Sequence, residues 1–574
     1  MIILNLFKKK NCLLAGLPVS AVLLILIQPP ISWHCLAWIS LVPFMLCCWC
    51  KDISLKILCI SAYCTGLCYW LAALYWISPI TAPGWILLCM YMALIWPITA
   101  WALHWCIQKK LPLFIFGAVI FVGAERMQGW PLGGFFWRFL AHSQYSNIHC
   151  IQIADIFGAA GVSFLIALIN SIIAGFIIDM YLHKLITRKN LLILITGIMS
   201  LICTYAYGYW RINQTKASTV YGPKIAAVQS NIPQSVKDSP EHAETIFNDL
   251  LRISQDTVEA GAQMIVWPET MVQAIMDKDI QTYLTPKDQE KWFKFNQALI
   301  KHTLNKAYLV IGAYGGQVKQ DKKGASYLSW HNSMYLYRPD GQVSDLHYDK
   351  IHLVMFGESL PFKRSWPWLF AQMLKFTPYD YDYSMDPGDN YTKFPIHITD
   401  SNMQHKNYNF ATIICYEDTI PEMARKFTLN SNGKKNIDWL VNISNDGWFV
   451  NFKDNKVIPS TELSQHTAAC VFRAVENRMA ILRCVNTGIS CLIDPCGRLH
   501  NSYISSSKNF PAQVINRGGI AGWFMDKMPI DTRISLFSRY GQWLDNCCLT
   551  GLCIIIALSL IQGIKHNILV QSRE

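Results

Sequence analysis

Residues 411–420, ATIICYEDTI, run strand-forming side chains into a cysteine that is followed at once by Tyr-Glu-Asp. A buried strand that stops at a thiol beside carboxylates is either a place where a nucleophile is presented or an ordinary strand end. Alone, it favours the second reading, because cysteine is among the most buried residue types. The surrounding chain decides.

Outward from this stretch, from about Pro223 to Arg517, short β-rich runs alternate with amphipathic ones. KIAAVQ, QMIVWPE, AYLVIGAY, NSMYLYR, NFATIIC, DWLVNIS, AILRCVN and ISCLID read as strands, with Val, Ile and Tyr where a pleated surface favours them. PEHAETIFNDLLRISQDTVEAGA and TELSQHTAACVFRAVENR have helical spacing; in the first, Ile246, Phe247, Leu250 and Leu251 share one face. Interleaving of this kind argues for a layered α/β domain. The longest poorly periodic segment, about 365–407, has the character of a lid or binding loop. Its Trp366, Trp368, Phe370, Phe376 and Tyr379 fit a membrane interface or packing against the domain equally well.

The rest of the chain has a different texture. Of 574 residues, 52% are hydrophobic and only 15% charged, a balance that points to a membrane. A span needs about 20 apolar residues, and candidate runs cover roughly 12–28, 32–49, 55–77, 84–107, 112–124, 160–182 and 191–209, with an eighth at 548–564. The fifth continues into GAERMQGWPLGGFFW, which suggests an interfacial or re-entrant segment; Glu125 and Arg126 there could line a lipid entrance or form a structural pair. The first run follows Lys8, Lys9 and Lys10 but no Ala-x-Ala site follows it, so it is expected to stay as an anchor rather than be cleaved. The domains expected are therefore 1–210 with seven spans, 223–517 as the α/β domain, and 518–574 as a linker and last span.

Lys51, Lys56, Lys109, Lys110, Lys184, Arg188 and Lys189 fall in alternate connections, whereas PPIS and SPITAPG carry no positive charge. With positive loops inside, seven crossings put everything after Tyr209 outside the cytoplasm, which in a bacterium with two membranes is the periplasm. The net charge of +12 is partly this topogenic Lys and Arg, and no nucleic-acid motif accompanies it, so anionic lipid is the expected partner. The 20 cysteines show neither zinc-ligand pairs nor a compact disulfide framework, and no metal or organic cofactor is implied.

Three stretches place an ionisable residue at or just after a strand: Glu269 in MIVWPET, Lys350 in YDKIHLVMFGE and Cys415 in ATIICYED. A thiol nucleophile needs a base, since free Cys has a pKa near 8.5 and the thiolate is the reactive form. An ammonium beside it can hold the thiolate and then the oxyanion that follows attack on a carbonyl. Singly, each residue reads as a buried thiol or a solvated charge.

Together they resemble the Glu, Lys, Cys triad of the nitrilase superfamily. The likeness is closer still to one branch, the apolipoprotein N-acyltransferases, through VQSNIPQ (228–234), VWPET (266–270), YDKIHLVMFGESLPF (348–362), CYED (415–418), NISNDGWF (442–449) and RAVENRMAILRCVNTGIS (473–490). QIADIFGAAGVSFLIALIN (152–170), in the membrane part, is similar as well. Met355 and Ser359 depart from the family pattern, as do NDGWFV and the polar NFKDNKVIP after it, which bears on loop geometry and lipid preference rather than reaction class.

The resemblance implies an α-β-β-α sandwich carried by about eight spans in the bacterial inner membrane and facing the periplasm. It implies Glu269 as general base, Lys350 as stabiliser of the tetrahedral intermediate and Cys415 as nucleophile. Glu358 and Glu417 match supporting carboxylates, and Tyr416 offers a backbone N–H to an oxyanion. The implied donor is a phospholipid, with phosphatidylethanolamine expected, and the implied acceptor a diacylglyceryl apolipoprotein; a monomer is expected. Two rivals stand beside this reading: a membrane-bound nitrilase or amidase acting on a small amide, and a transporter or receptor with a degenerate sensor domain. Retention of all three reactive residues weighs against the sensor, and seven spans are more than tethering an amidase needs.

Overall fold

The computed structural model describes residues 14–183, 187–320, 324, 326–363, 365–375, 377, 382–399, 404–454 and 456–571. The chain divides into two compact units, residues 1–214 with 540–574, and residues 215–539.

The first unit is helical. Among the described residues, five helices are long and apolar enough to cross a membrane: Leu55–Ala73, Ala82–Gln108, Ala159–Leu182, Arg188–Ser218 and Trp543–Lys565. The other expected runs are helical but shorter. The first is Gly16–Leu26, after which Pro29 and Pro30, lacking N–H groups, cannot carry the helix on. The second is a 3₁₀ turn, His34–Trp38, followed by Val42–Trp49, with Pro43 in its first turn. The fifth is Leu113–Gln128, ended by Gly129. Within the fourth run the helix breaks at Leu94, where Pro97 has no N–H to return to the Ala93 carbonyl. Among these helices, polar groups find one another. Asn170 accepts the Leu41 N–H at 2.8 Å and donates to the Ala37 carbonyl at 2.8 Å. Glu125 accepts the Leu140 N–H at 2.6 Å, and Arg126 donates to Asn546 at 2.8 Å.

The second unit is built on two sheets. One has eight strands in the order Ser505–Ser506, Gly522–Ile530, Val220–Gln229, Met264–Val266, Tyr308–Gln320, Ser326–Tyr337 and Val343–Asp349, with Val272–Ile275 also on Tyr308–Gln320. The other has six in the order Leu499–His500, Cys491–Ile493, Ala480–Val485, Trp439–Ser444, His405–Ile414 and Lys393–Thr399. The centres of both sheets are parallel pairs, and these strands are the near-continuous apolar runs that a sheet covered on both faces requires. The sheets meet where the Cys484 thiol donates to the Val228 and Val266 carbonyls, 3.2 Å each.

Helices cover the outer faces. Ala243–Glu259 and Pro286–Thr303 bury Ile246, Phe247, Leu250, Phe295 and Leu299 against Trp267 and Leu309 of the first sheet, with Phe247 and Phe295 stacked at 4.1 Å. Pro421–Thr428 and Glu462–Asn477 cover the second sheet. The result is the expected α-β-β-α sandwich, and all eight strands read from the sequence are present.

Some elements escape periodicity. Lys393–Thr399 lies in the stretch expected to be irregular, yet it alternates buried Phe394, Ile396 and Ile398 with exposed neighbours as an edge strand. Expected to end at Arg517, the domain's sheet instead continues through Gly522–Ile530, which lies antiparallel to Val220–Gln229. Pro529 and the charges of Asp526 and Lys527 mask that strand. Trp366 and Trp368 are exposed beside and on Pro367–Leu374, a helix with no buried residue; Phe376 and Tyr379 lie outside the described residues.

One close approach positions the chemistry. A Cβ built on Gly312 would sit 2.5 Å from the Pro268 oxygen and 2.6 Å from both Glu269 Cα and Thr270 N, so only glycine lets this strand press against the Glu269 backbone. Gly312→Ala is therefore expected to cost about 1–3 kcal/mol, read as a lowered unfolding midpoint. Gly175→Ala, whose added methyl meets nothing within 4 Å, should not lower it.

Candidate active site

Glu269, Lys350 and Cys415 each sit just beyond the end of a strand. Glu269 follows Met264–Val266, Lys350 follows Val343–Asp349, and Cys415 follows His405–Ile414. The first two come from one sheet and the third from the other, and the sandwich brings the three ends together. Lys350 is buried, with Nζ 3.3 Å from Glu269 Oε1 and 2.8 Å from Glu358. Asn332 Nδ2 donates to Glu269 Oε1 at 2.6 Å and to Glu358 Oε1 at 2.9 Å, while the Asn445 N–H donates to Glu269 Oε2 at 2.8 Å. The Glu269 carboxylate is thus fixed at both oxygens.

Cys415 opens a 3₁₀ turn, Cys415–Thr419, with φ +52°, a left-handed conformation that few non-glycine residues adopt. Strain of this kind, about 1–3 kcal/mol, persists only where the surroundings enforce it. Here Asn442 Nδ2 holds the Cys415 carbonyl at 3.3 Å, and Arg483 in turn donates to Asn442 Oδ1 at 2.9 Å. Cys415 as a whole is 8% exposed. Burial, with the Glu269 charge adding to it, pushes the Cys415 thiol up to about 12, against the pull of Lys350 and His466. A resting thiol at neutral pH therefore needs a base before it can attack. For Lys350 the balance runs the other way: burial disfavours its charge, but Glu269, Glu358 and Cys415 hold it well above the ordinary range. Lys350 is thus held as a cation between the two carboxylates.

Glu417 ties the two sheets' contributions together. Its buried carboxylate accepts from the Tyr348 hydroxyl at 2.9 Å, from the Ile351 and His352 N–H groups at 2.9 and 3.0 Å, and from the Ile414 N–H at 2.7 Å. Burial pushes it up to about 7, against the stabilising backbone donors, Lys350 and Tyr348. Tyr416 lies between Cys415 and this tie, its ring stacked on His352 at 6.0 Å. The variant segment closes normally: Phe356 N–H donates to the Ser359 carbonyl at 2.7 Å and Glu358 N–H to the Val354 carbonyl at 2.8 Å, so Met355 and Ser359 leave Glu358 in place. NFKDNKVIP forms an exposed hairpin, Asn451–Lys453 with Lys456–Ile458.

Close to Cys415 in sequence, Asp418 belongs to a fully buried set of charges. Asp418 accepts from His466 Nε2 at 2.7 Å and from Arg483, and Arg483 also holds Asp446 at 3.0 Å. His466 Nδ1 lies 3.3 Å from Asp446 and 3.0 Å from Glu462. Burial and Arg483 disfavour the imidazolium, but Asp418 and Asp446 hold His466 well above its ordinary range. Burial and the Asp446 charge push Glu462 up to about 7. Donor atoms of Asp446, Glu462 and His466 lie within 4.8 Å of one another, close enough for a cation, although Arg483 and the imidazolium already balance Asp418 and Asp446.

Residue-by-residue reading of the sequence missed Asn332, Asn442, His466, Arg483 and Lys237. Lys237 is buried near the triad, its ammonium donating to Thr270 Oγ1. The signal for Asn442 and Arg483 was present, since both fall in stretches that carry the resemblance; Asn332 lies inside a strand and has no local mark.

Two family models match the chain in succession: the apolipoprotein N-acyltransferase N-terminal domain over residues 20–172 and the carbon-nitrogen hydrolase over residues 224–506. An apolipoprotein N-acyltransferase of Geobacter metallireducens is 28% identical over 567 residues, covering 96% of this chain and 95% of the relative. That of Chlorobaculum tepidum is 24% identical over 549 residues, covering 92% of each. A solved amidase of the nitrilase superfamily from Nesterenkonia AN1 is 14% identical, covering 57% of this chain and 94% of its own, with a TM-score of 0.34. With a membrane-domain model and a hydrolase model in order on one chain, and relatives that align along nearly its whole length, the protein belongs to the apolipoprotein N-acyltransferases of the nitrilase superfamily.

Proposed function

We propose that this protein N-acylates lipoproteins: it takes an acyl chain from a membrane phospholipid, holds it as a thioester on Cys415, and passes it to the α-amino group of an N-terminal diacylglyceryl-cysteine. The observation that carries the reading is the convergence of Glu269, Lys350 and Cys415 at one buried point in a chain related end to end to apolipoprotein N-acyltransferases. In the first stage Glu269 takes the Cys415 proton and the thiolate attacks the ester carbonyl. The oxyanion is held by the Lys350 ammonium and the Tyr416 backbone N–H. Collapse expels the lysophospholipid alkoxide, which takes the proton from Glu269. In the second stage the acceptor amine attacks the thioester, Glu269 accepts the proton from the nitrogen, the C–S bond breaks and the departing Cys415 sulfur takes that proton back, leaving an amide, more stable than the thioester.

The donor in this reading is phosphatidylethanolamine, the enzyme a monomer in the bacterial inner membrane, and residues 215–539 face the periplasm. The alternating Lys and Arg in the loops support that orientation.

Three outcomes test the reading. Incubated with phosphatidylethanolamine, wild-type protein should gain one hydroxylamine-labile acyl mass that a diacylglyceryl-cysteine peptide discharges, whereas Cys415→Ala should gain none; transfer by Cys415→Ala, or discharge to water alone, refutes the acyltransferase mechanism. Glu269→Gln should slow acyl loading from phosphatidylethanolamine by about 10²-fold or more, as loss of a general base does, read from intact mass against time. Glu417→Gln presents an N–H₂ where donors need acceptors, so it should cost about 1–3 kcal/mol of stability and more than tenfold in transfer rate.

A further inference from the structure

Lys237 stands beside this site without a part in the reaction described so far. It ends the short helix Gln234–Lys237 and is 3% exposed. Its Nζ donates to Thr270 Oγ1, one residue beyond Glu269 and at φ +48°. The segment is braced at both ends: Gln273 Nε2 donates to the Lys237 carbonyl at 2.8 Å, and Gln234 Oε1 accepts from Asn445 Nδ2 at 2.7 Å. Asn445 is the residue whose N–H holds Glu269. Lys237 and Glu269 are therefore fixed relative to one another by the same short framework.

The need for another base follows from counting protons. An α-amino group has a pKa near 8 and reaches the enzyme largely as the ammonium. To become an amide nitrogen it must lose two protons, one before attack and one after. The second returns to the Cys415 thiolate through Glu269. The first needs a separate acceptor, a need that a water nucleophile does not create. Glu358 already accepts from Lys350, Asn332 and the Val354 N–H, and Glu417 from four donors.

We propose that Lys237 Nζ accepts the first proton of the acceptor's α-ammonium and so makes the nucleophilic amine. The assignment rests on the acyltransferase reading above. The nitrogen lone pair of Lys237 takes the proton, and the freed amine lone pair forms the C–N bond as the carbonyl π pair moves to oxygen. The remaining excess proton passes to Glu269. The C–S bond then breaks, the sulfur takes that proton back, and Lys237 loses its own to solvent.

Burial pulls Lys237 down to about 8, against the opposing charges of Glu269, Asp238, Cys415 and Glu358. It thus matches the group it deprotonates, the condition under which a general base works best. Two ammonium groups in one buried pocket repel, so the pair sheds its first proton below pH 8. Without Lys237 the α-ammonium would face Glu269 and Glu358, already paired with Lys350, and without the repulsion of a second titrating ammonium its proton loss would move to higher pH.

The test separates the two half-reactions by intact-protein mass spectrometry. Lys237→Met and Lys237→Gln are each loaded with acyl chain from phosphatidylethanolamine, then discharged onto a diacylglyceryl-cysteine peptide between pH 6 and pH 9.5. The expected result is loading within about threefold of wild type, discharge at pH 7 slower by about tenfold or more, and recovery towards pH 9. Equal losses in loading and discharge, or an unchanged discharge profile, overturn the assignment. So does a wild-type profile breaking near 6.5, the range of an imidazole, which would give the proton to His352. Discharge of the wild-type thioester by hydroxylamine, neutral at pH 7, should lack the low-pH limb; if it keeps the limb, the proposal fails even if neither variant folds. Absence of any thioester in wild type would instead overturn the acyltransferase reading itself.

Discussion

The Glu417 carboxylate is the constraint on which the rest of the site depends. It gathers the Tyr348 hydroxyl and two N–H groups from the chain after Lys350, and the Ile414 N–H just before Cys415. Lys350, supplied by one sheet, and Cys415, supplied by the other, are thereby clamped to a single buried carboxyl group. Sandwich packing alone brings strand ends near one another within ångströms, whereas covalent catalysis needs them held far more closely. Four hydrogen bonds converging on one buried carboxyl group supply that tolerance.

Much of this architecture was legible because its strands are buried on both faces and write themselves as apolar runs. KIAAVQ, NFATIIC and AILRCVN could hardly be anything else, and each became a strand. Gly522–Ile530 was not legible: its partner is Val220–Gln229, some three hundred residues away, and tertiary pairing overrides a local pattern broken by charge and proline. The helical runs were read correctly as apolar, but length depended on where proline removes an N–H, and that shortened or broke runs that composition alone treats as continuous.

In the site, the three residues proposed to react were singled out by their position after strands and by the stretches that carry the family likeness. Their holders were not. Asn332 is one polar residue in a strand, and only the folded chain shows its amide between Glu269 and Glu358. Lys237 has no local sign of burial in QSVKD, and a lysine there reads as solvated until Thr270 is seen against it. Asp418, Asp446, His466 and Arg483 come from separate segments, and their mutual neutralisation has no trace in any one of them.

The helix Glu462–Asn477 is enclosed along its entire length, with every one of its residues buried. An ordinary surface helix keeps one side on which residues can be exchanged freely over generations; this one has none. Its acids and bases are matched to one another or to groups on neighbouring segments, so a change at His466 leaves Asp418 and Asp446 with surplus buried charge, and a change at Arg473 strands Glu476. Replacement of these charged residues must therefore proceed in pairs, one position waiting on another.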